Sequence, residues 1–595
     1  MNELKGKSYL IFDIETYAPS GKPNPKVDEF RILGAYSYKL GRYYFLTNLS
    51  QIQKLIDMHN ILIGFNSSRK NTAYDKPILE RHGIKFNYKI MIDLLEGLKD
   101  KYLYKFMGVN LTEFNLRNIA KVFELETQKG DLDYSILKKK PNEWSEIEKQ
   151  QILKYLKGDI DVTKQLFEKM YNHFKVFSQF VSERDKNRLI WMNTTLSNLT
   201  YLSMCYKLGL EPIYSEAPKR KEKIGGLVRN PAGEEFHNLW YLDVTSLYPS
   251  IIIMFNMFSN PTITPDETKW FKGNDVFEIK GKYGLSKFNV MSEEFKTMFL
   301  QRRPLKKTNP ILAYAYKILM NSGYGVLRSP TFASTYYEHT GADICRIGQK
   351  INMIMGYYFE KKDFLVVYGD TDSIFVYDKL NRSKDEQKQI VERTLKEIVE
   401  FIKSNVPFKF DGFNIDIETG DMIDGIWFFK DKLTNKFKKK NYVMLYQQNK
   451  IKIMGLPIIK NNATGLSQHI LDNYIKPYII KNKKIKLPKS YFENLIKQLL
   501  HNDISLASVE FKCYNSNSYT GYNQLQAQIS RAYFSGKGGK IRLIKNKRIG
   551  KVGQSYKYCT IEEAKKAGLK YEDLDLTKVW NELEPFILKE QRCLL

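Results

Sequence analysis

The segment FLVVYGDTDSIFVY, residues 364 to 377, sets two apolar runs on either side of Gly369, Asp370, Thr371 and Asp372. Apolar β-like runs around a short polar turn predict a β-hairpin, here with two acids at its tip. Two carboxylates held this close repel each other, and a pair of divalent cations with oxygen ligands would neutralise them. A plain surface turn also favours Asp and Gly, so the segment by itself leaves both interpretations open.

A lone acid, Asp243, stands inside the apolar segment YLDVTSLYPSII, residues 241 to 252. Strand signals surround residues 239 to 253, and a buried carboxylate there needs a partner. A metal ion held jointly with Asp372 would supply one. Tyr248 follows five positions later, where its ring is expected either to stack beneath a sugar or to lie in the core.

Two basic helical segments are predicted between these acids, at about 292–307 and 310–326. The second places a lysine, an asparagine and a tyrosine on one face, spaced by four and three: Lys317, Asn321 and Tyr324. The first carries a cationic stripe: Arg302, Arg303, Lys306 and Lys307. Such a stripe is usually a solvated face. The alternative is that two antiparallel basic helices close over a nucleotide, with the lysine binding its triphosphate as a point charge.

The pattern of strands and helices in the first 170 or so residues predicts an α/β unit. Four acids and a tyrosine follow one another along this part of the chain. These are Asp13, Glu15, Asp75, Tyr155 and Asp159. The first two alternate along a predicted strand at 8–17, so their carboxylates point to one face. The last two share a face of a predicted helix at 143–174. Each pair alone is usually a solvated or capping feature, but together they predict two metal ions around a phosphodiester, with the tyrosine orienting the attacking water.

The composition bounds the class of partner. Of 595 residues, 94 are Lys or Arg and 66 are Asp or Glu, and the net charge of +28 favours a polyanion such as DNA, RNA or an anionic membrane surface, or else only keeps the chain soluble. Five scattered cysteines predict neither a zinc site nor a disulfide framework. No apolar stretch reaches a membrane-spanning length, and the N-terminus lacks a signal peptide's apolar run, so we expect an intracellular location without membrane contact.

Taken together, the segments DVTSLYPSII, KILMNSGYG and YGDTDS resemble motifs A, B and C of family B DNA polymerases, in the family's order. The segment at 438–457 resembles the family's KxY segment, with Lys440 and Tyr442 at the matching positions. Before motif A the family carries Tyr-x-Gly-Gly, where this chain has Lys223, Ile224, Gly225 and Gly226. Lys223 thus stands where the family carries the tyrosine that takes part in passing the primer between sites.

The N-terminal acids resemble the three motifs of the family's 3′→5′ exonuclease, in FDIETY, NTAYD and YLKGD. Lys129 in QKGDLDY resembles a lysine of protein-primed phage polymerases that serves this site. The short spacings between Asp243 and Lys317 and between Tyr324 and Asp370 leave no room for those enzymes' insertions. The archaeal relatives' uracil-reading domain is expected to be absent, and a virus or mobile element is a plausible source, which would place the protein in the host cytoplasm.

The resemblance implies an α/β and α+β multi-domain fold, with an RNase H-like exonuclease domain followed by a right-hand polymerase. The expected domains are exonuclease 1–175, palm 176–290 and 329–435, fingers 291–328 and thumb 436–595. The implied catalytic residues are Asp243, Asp370, Asp372, Asp13, Glu15, Asp75, Tyr155 and Asp159. The implied metal ligands are Asp243, Asp372, Asp13, Glu15 and Asp159. The implied dNTP contacts are Tyr248, Arg303, Lys317, Asn321 and Tyr324. The implied DNA contacts are Gly225, Gly226, Asn71, Tyr74, Lys440 and Tyr442.

By the same resemblance each site would use two Mg²⁺ ions, with Mn²⁺ as a substitute, in a two-metal displacement. The expected partners are primer-template DNA and dNTPs, with the protein as a monomer and any processivity or priming factor unidentified. Two other classes stay open. One is a nuclease whose second half only binds DNA, and the other is a non-enzymatic nucleic-acid scaffold whose charge serves phosphate binding alone.

Overall fold

The structure is a computed structural model. It describes residues 3–21, 23–69, 72–111, 113–216, 224–257, 268–270, 277–279, 290–336, 339–405, 413–420, 422–431, 433–460, 463–513, 524–534, 539–553 and 556–588. Within these ranges no helix is both long enough and apolar enough to cross a membrane.

The chain divides into two compact units, each assembled from three stretches. Unit 1 comprises Met1–Lys223, Tyr248–Ile344 and Pro407–Phe413, and unit 2 comprises Ile224–Leu247, Cys345–Val406 and Asn414–Leu595. The strands in the described part are β1 (Tyr9–Tyr17), β2 (Glu29–Ser37), β3 (Arg42–Leu46), β4 (Ile61–Gly64), β5 (Ile90–Asp93), β6 (Glu235–Val244), β7 (Thr268–Trp270), β8 (Phe277–Ile279), β9 (Phe364–Asp370), β10 (Ser373–Asp378), β11 (Ile417–Thr419), β12 (Ile423–Lys430), β13 (Phe437–Tyr446), β14 (Ile451–Met454), β15 (Val509–Cys513), β16 (Gly539–Asn546) and β17 (Lys557–Thr560).

The α-helices follow the same numbering. They are α1 (Leu49–Asp57), α2 (Asp75–Arg81), α3 (Leu103–Phe106), α4 (Leu116–Val122), α5 (Glu146–Phe174), α6 (Glu183–Asn187), α7 (Leu196–Leu208), α8 (Leu247–Met254), α9 (Val290–Thr308), α10 (Pro310–Arg328), α11 (Thr340–Glu360), α12 (Lys384–Asn405), α13 (Gly465–Ile470), α14 (Lys476–Asn482), α15 (Lys489–Asn502), α16 (Gln524–Phe534), α17 (Ile561–Lys566) and α18 (Thr577–Leu583).

Unit 1 is built on a five-stranded sheet in the order β3-β2-β1-β4-β5. Strand β1 is antiparallel to β2 and parallel to β4, and the long helix α5 packs across β1 and β2. Gly34, opposite Asp13 in the sheet register, makes this packing possible, because a Cβ there would lie 2.6 Å from Leu156 of α5. The close contact brings the middle of α5 over the acids of β1.

Helices α9 and α10 of unit 1 pack against each other and are joined by a tight turn. Asn309 caps α10 by accepting a hydrogen bond from the Leu312 amide at 3.1 Å, and Pro310 takes the first helical position. Gly323 lets the helices approach, because a Cβ there would lie 2.8 Å from the Phe295 ring. The predicted helices at 292–307 and 310–326 are therefore confirmed.

Unit 2 is built on a sheet in the order β14-β13-β12-β6-β10-β9, with β11 also paired to β6. Strands β9 and β10 form the predicted hairpin, and Thr371 at its tip has a positive φ of 57°. The sheet continues across residue 435, because β13 pairs with β12, so the expected end of the palm falls inside one sheet. A core in the C-terminal part is formed by helices α13, α14, α15 and α18 together with residues of β12, β13 and the connecting segments.

One prediction of secondary structure is wrong. The strand expected over 239–253 ends at Val244, Ser246 adopts a positive φ of 52°, and helix α8 begins at Leu247. Residues Ile251 to Met254 are all buried, so this helix is apolar on every side. An apolar run without helical period cannot be told from a buried strand by its pattern.

Candidate active sites

Asp13, Glu15 and Asp159 form the N-terminal acid cluster of unit 1. Carboxylate oxygens of the three lie within 4.8 Å of one another. Alternation along β1 turns the first two acids to one face of the sheet, and α5 brings Asp159 to the same face. Asp75 lies at the start of α2, where burial, and then the charges of Asp13, Asp93 and Glu15, raise its pKa. Four of the predicted acids are therefore assembled.

The N-terminal acid cluster holds more negative charge than its surroundings neutralise. Burial, and then the charge of Asp159, raises the pKa of Asp13 to about 7. Burial, and then the charges of Asp13 and Asp159, raise the pKa of Glu15. One carboxylate oxygen each of Asp75 and Asp159 is buried without a hydrogen-bond partner. A set of buried carboxylate oxygens of this kind fits a hard divalent cation, which would stabilise the ionised forms.

Lys129 supplies the positive charge that the cluster does have. Its Nζ donates to the Asp159 carboxylate at 2.5 Å and lies 5.0 Å from the centre of the Tyr155 ring. The Tyr155 hydroxyl is 2.9 Å from that of Tyr134. Burial and this hydrogen bond raise the pKa of Tyr155, so its hydroxyl keeps its proton and can orient a neighbouring oxygen rather than act as a base.

A cavity of about 1310 Å³ opens over the N-terminal acid cluster. Acids line its floor, and aromatic and basic side chains line the rest: Tyr17, Phe65, Phe114, Tyr134, Arg69, Lys99, Arg117 and Lys138. Rings on which bases can stack, together with cations for phosphates, are suited to single-stranded nucleic acid. Neither Arg69 nor Arg117 was predicted, because each lies in a segment with no motif.

The second predicted motif fits the cavity only in part. Tyr74 lines it, but its hydroxyl is held inside the protein, 2.7 Å from Thr16 Oγ1 and hydrogen-bonded to Asp28 at 2.5 Å. Asn71 lies outside the described residues. Asn66, two residues after the end of β4, lines the cavity and has a positive φ of 60°. Asn66 was not predicted, because a hydrogen bond from its amide to Asp93 of a different strand fixes its position.

Asp243, Asp370 and Asp372 form the hairpin acid cluster of unit 2. Asp243 on β6 is paired in register with Ser373, the residue after Asp372. The Val244 amide donates to the Asp372 carbonyl at 2.8 Å, so the two chain segments are fixed side by side. The backbone pairing therefore brings the chain segments of Asp243 and Asp372 side by side at one end of their strands.

Charges around the hairpin acid cluster are more evenly balanced. Burial, and then the charge of Asp372, raises the pKa of Asp243 to about 6, and burial raises the pKa of Asp372. Glu418 of β11 lies opposite Asp243 in the register and also raises its pKa. Lys452 lowers the pKa of both aspartates. Glu418 and Lys452 were not predicted, and strand pairing is what brings Glu418 in.

Lys440 and Tyr442, predicted to contact DNA, have different environments. The Lys440 ammonium makes an ion pair with Asp370 at 2.9 Å and is half exposed. Tyr442 is only 4% exposed, and its ring packs among Tyr368, Phe375 and Phe428. Tyr442 thus belongs to the core on one face of β13, and its contact with DNA stays a prediction.

Comparison with known proteins decides the family. Residues 160–580 match the family model described as DNA polymerase family B, which is more than half of the chain. The chain belongs to family B of the DNA polymerases.

Similar proteins agree with this membership. A DNA polymerase of Archaeoglobus fulgidus is 22% identical over 568 residues, covering 88% of this chain and 66% of the relative. DNA polymerase 1 of Saccharolobus solfataricus is 23% identical over 544 residues, covering 79% of this chain and 56% of the relative. This family B chain thus spans two thirds or less of the length of both relatives. The solved family B DNA polymerase of Pyrobaculum calidifontis has a similar fold, with a TM-score of 0.50 and 15% identity, covering 98% of this chain and 78% of that one.

The residues of this family B chain that were predicted to contact the dNTP lie in unit 1, on α8, α9 and α10. The rings of Tyr248 and Tyr324 pack together with their centres 4.4 Å apart. Lys317 and Asn321 are exposed on the same helix as Tyr324, and Arg303 is exposed on α9. Gly225 and Gly226 belong to unit 2, next to the hairpin, while Lys223 lies outside the described residues.

Proposed function

We propose that this chain extends a DNA primer from dNTPs under the direction of a template, with the hairpin acid cluster as the site of synthesis. The observation that carries the proposal is the register that places Asp243 beside the Asp372 turn, in a chain that belongs to family B. An acid inside an apolar strand, held against a second acid at a hairpin tip, is costly unless it binds a cation.

Asp243 and Asp372 would hold divalent cations, Mg²⁺ by preference, with Asp370 as a supporting acid. When bound, such ions neutralise charge on the triphosphate and make the primer hydroxyl a better nucleophile. Lys317 and Arg303 would bind the triphosphate oxygens of the incoming dNTP. Tyr248 would pack beneath the sugar and exclude a 2′-hydroxyl, and its contact with the Tyr324 ring would hold it there.

We propose a second activity at the N-terminal acid cluster, the removal of nucleotides from a DNA 3′ end. Asp13, Glu15 and Asp159 would hold divalent cations against the scissile phosphate, with Asp75 beside them. Tyr155 keeps its proton and would orient the attacking water by a hydrogen bond. The aromatic and basic lining of the cavity would hold the unpaired strand.

This function implies the domain arrangement expected from the sequence, with an exonuclease domain followed by palm, fingers and thumb. The five-stranded sheet would then belong to the exonuclease domain, the sheet of unit 2 to the palm, and α9 and α10 to the fingers. Primer-template DNA and dNTPs are the proposed substrates, and the monomer is the proposed active form.

Primer extension tests the proposal. Purified protein is incubated with Mg²⁺ and a 5′-labelled primer annealed to a longer template. We expect extension to the end of the template when all four dNTPs are present. Without dNTPs, we expect stepwise shortening of a primer with a mismatched 3′ end. Binding of the primed template without either reaction would favour the scaffold, and shortening without extension would favour a nuclease.

A further inference from the structure

Residues 225–232 run beside β9, on the side of that strand that does not pair with β10. They are called the edge segment below. Backbone hydrogen bonds of 2.8–2.9 Å join the edge segment to β9 and the turn after it at three points. They run from Thr371 N to Leu227 O, from Arg229 N to Gly369 O and from Ala232 N to Val367 O. The edge segment therefore pairs with the strand and turn that carry the hairpin acids, although it comes before motif A in the chain.

Gly226 brings the edge segment against the side chain at the hairpin tip. A Cβ at this position would lie 2.5 Å from Thr371 Oγ1 and 2.7 Å from its Cγ2. Thr371 separates the two acids of the turn and has the left-handed backbone, so its side chain has little freedom to move away. Contact with Gly226 thus limits where the turn can lie.

Arg229 joins the same edge segment to helix α11 and, through one asparagine, to the other strand of the hairpin. Its Nε donates to Asn352 Oδ1 at 3.0 Å, and its Nη2 donates to the Asn352 carbonyl at 2.9 Å. The Asn352 side chain, which is 1% exposed, donates in turn to the Ser373 carbonyl at 3.1 Å. Ser373 directly follows Asp372 and faces Asp243 in the sheet.

One face of α11 is shaped for this contact. Gln349, Asn352 and Gly356 are spaced by three and four, so they lie on one side of the helix. Gln349 donates to the Gly225 carbonyl at 2.6 Å. Gly356 provides the space for the guanidinium, since a Cβ there would lie 2.6 Å from Arg229 Nη2. The helix therefore holds the edge segment at its first residue and at its middle.

We infer that the edge segment is a strut that sets the position of the Asp370–Asp372 turn, and that Arg229 is a positioning residue for metal binding by the hairpin acid cluster. This inference rests on the proposed synthetic function of that cluster. Arg229 touches neither substrate nor metal in this scheme; it acts through Asn352 and Ser373. The planar guanidinium makes two hydrogen bonds in fixed directions, which the single ammonium of a lysine does not reproduce.

The test uses the full chain with Arg229→Met, which keeps the apolar stem, and Arg229→Lys, which keeps the charge. The Mg²⁺ concentration for half-maximal primer extension is measured, together with degradation of single-stranded DNA. We expect both variants to need roughly 10–100-fold more Mg²⁺ for extension, as is typical when the support of a metal ligand is lost. Degradation should stay within about twofold of wild type, because the N-terminal acid cluster belongs to the other unit.

Arg382→Met is the matched control. Arg382 also lies in unit 2, but it pairs with Asp378 at the opposite end of β10 and donates to the Lys362 carbonyl. Its loss should lower the melting temperature without changing the Mg²⁺ requirement for extension. An unchanged requirement in Arg229→Met, or an equal loss of extension at every Mg²⁺ concentration, would overturn the inference in favour of a purely structural arginine.

A binding measurement separates this inference from the proposed function. Mn²⁺ binding is titrated by electron paramagnetic resonance in an Asp13→Asn background, so that the hairpin acid cluster dominates the signal. Weaker Mn²⁺ binding in Arg229→Met, with normal binding in Arg382→Met, would support the strut even if wild-type protein failed to extend primers. Equal Mn²⁺ affinity in all three proteins would contradict the strut even if extension were normal.

Discussion

The two acid clusters solve the same problem of like charge in different ways. In the N-terminal acid cluster, buried carboxylates crowd within 4.8 Å, and Lys129 is the cation that pairs with them. In the hairpin acid cluster the acids are less crowded, Lys440 pairs with Asp370, and Lys452 lies near the other two. One lysine thus offsets the charge of the more crowded acids in the first cluster, whereas two lysines offset the charge of the second.

The largest effects should come from removing one acid of each cluster. Asp372→Ala should lower primer extension by more than the roughly 100-fold that follows loss of a supporting residue, because it deletes a proposed ligand. It should leave degradation of single-stranded DNA unchanged. Asp13→Ala should do the reverse. Both rates are read on labelled primers, and loss of both activities through one substitution in a folded protein would end the distinction between the clusters.

Lys129→Met sharpens the comparison by removing the cation of the N-terminal acid cluster. We expect degradation of single-stranded DNA to fall by roughly 10–100-fold, since Asp159 loses its ion pair and the Tyr155 ring loses its neighbour. Extension of a matched primer should not change. Lys138→Met is the control, because Lys138 lines the same cavity and has no ion pair with the cluster. Equal losses in both variants would mean that only the cavity's overall charge matters.

The raised pKa of Asp13 predicts how metal-free protein responds to pH. An acid with a pKa of about 7 in the folded protein and about 4 in the unfolded chain favours folding below pH 4, and this contribution is lost as the pH rises through 7. In EDTA, Asp13→Asn should therefore melt a few degrees above wild type at pH 8, with a smaller difference at pH 5. Differential scanning fluorimetry at pH 5 and at pH 8 measures the melting temperatures of both proteins. Mg²⁺ should reduce the difference by stabilising wild type.

A smaller effect is expected from Glu418→Gln beside the hairpin acid cluster. Removing this negative charge lowers the pKa of Asp243 from about 6, so the acid stays ionised at lower pH. At limiting Mg²⁺, the pH at which the extension rate falls to half on the acidic side should decrease by less than about one unit. Glu400→Gln, on the exposed side of α12, should not move it. A shift in the opposite direction would mean that Glu418 supplies a ligand rather than repulsion.

The features that the sequence predicted share a local cause. Hairpin β9–β10 has an apolar run on either side of a polar turn, and Asn309 caps α10 directly after α9 ends. Helix α8 was missed because its apolar run has no period. Local signals determine elements of this kind without help from the rest of the chain.

The parts of the sites that were missed depend on distant pairing. Glu418 reaches Asp243 only because β11 pairs with β6. Tyr442 faces the core because of the register of β13 with β12. Asn66 lines the cavity because Asp93, at the end of the neighbouring strand, accepts hydrogen bonds from the amides of Asn66 and Ser68. Each of these depends on a partner that no window of sequence contains.

The three-part composition of each unit limits how the molecule can be dissected. The chain leaves unit 1 at residue 223, returns at 248, leaves again at 344 and makes a last short return at 407–413. A fragment that stops after the N-terminal acid cluster would therefore expose surfaces that α9 and α10 normally cover. Point substitutions in the intact chain, rather than truncations, are therefore the way to study the two proposed activities apart.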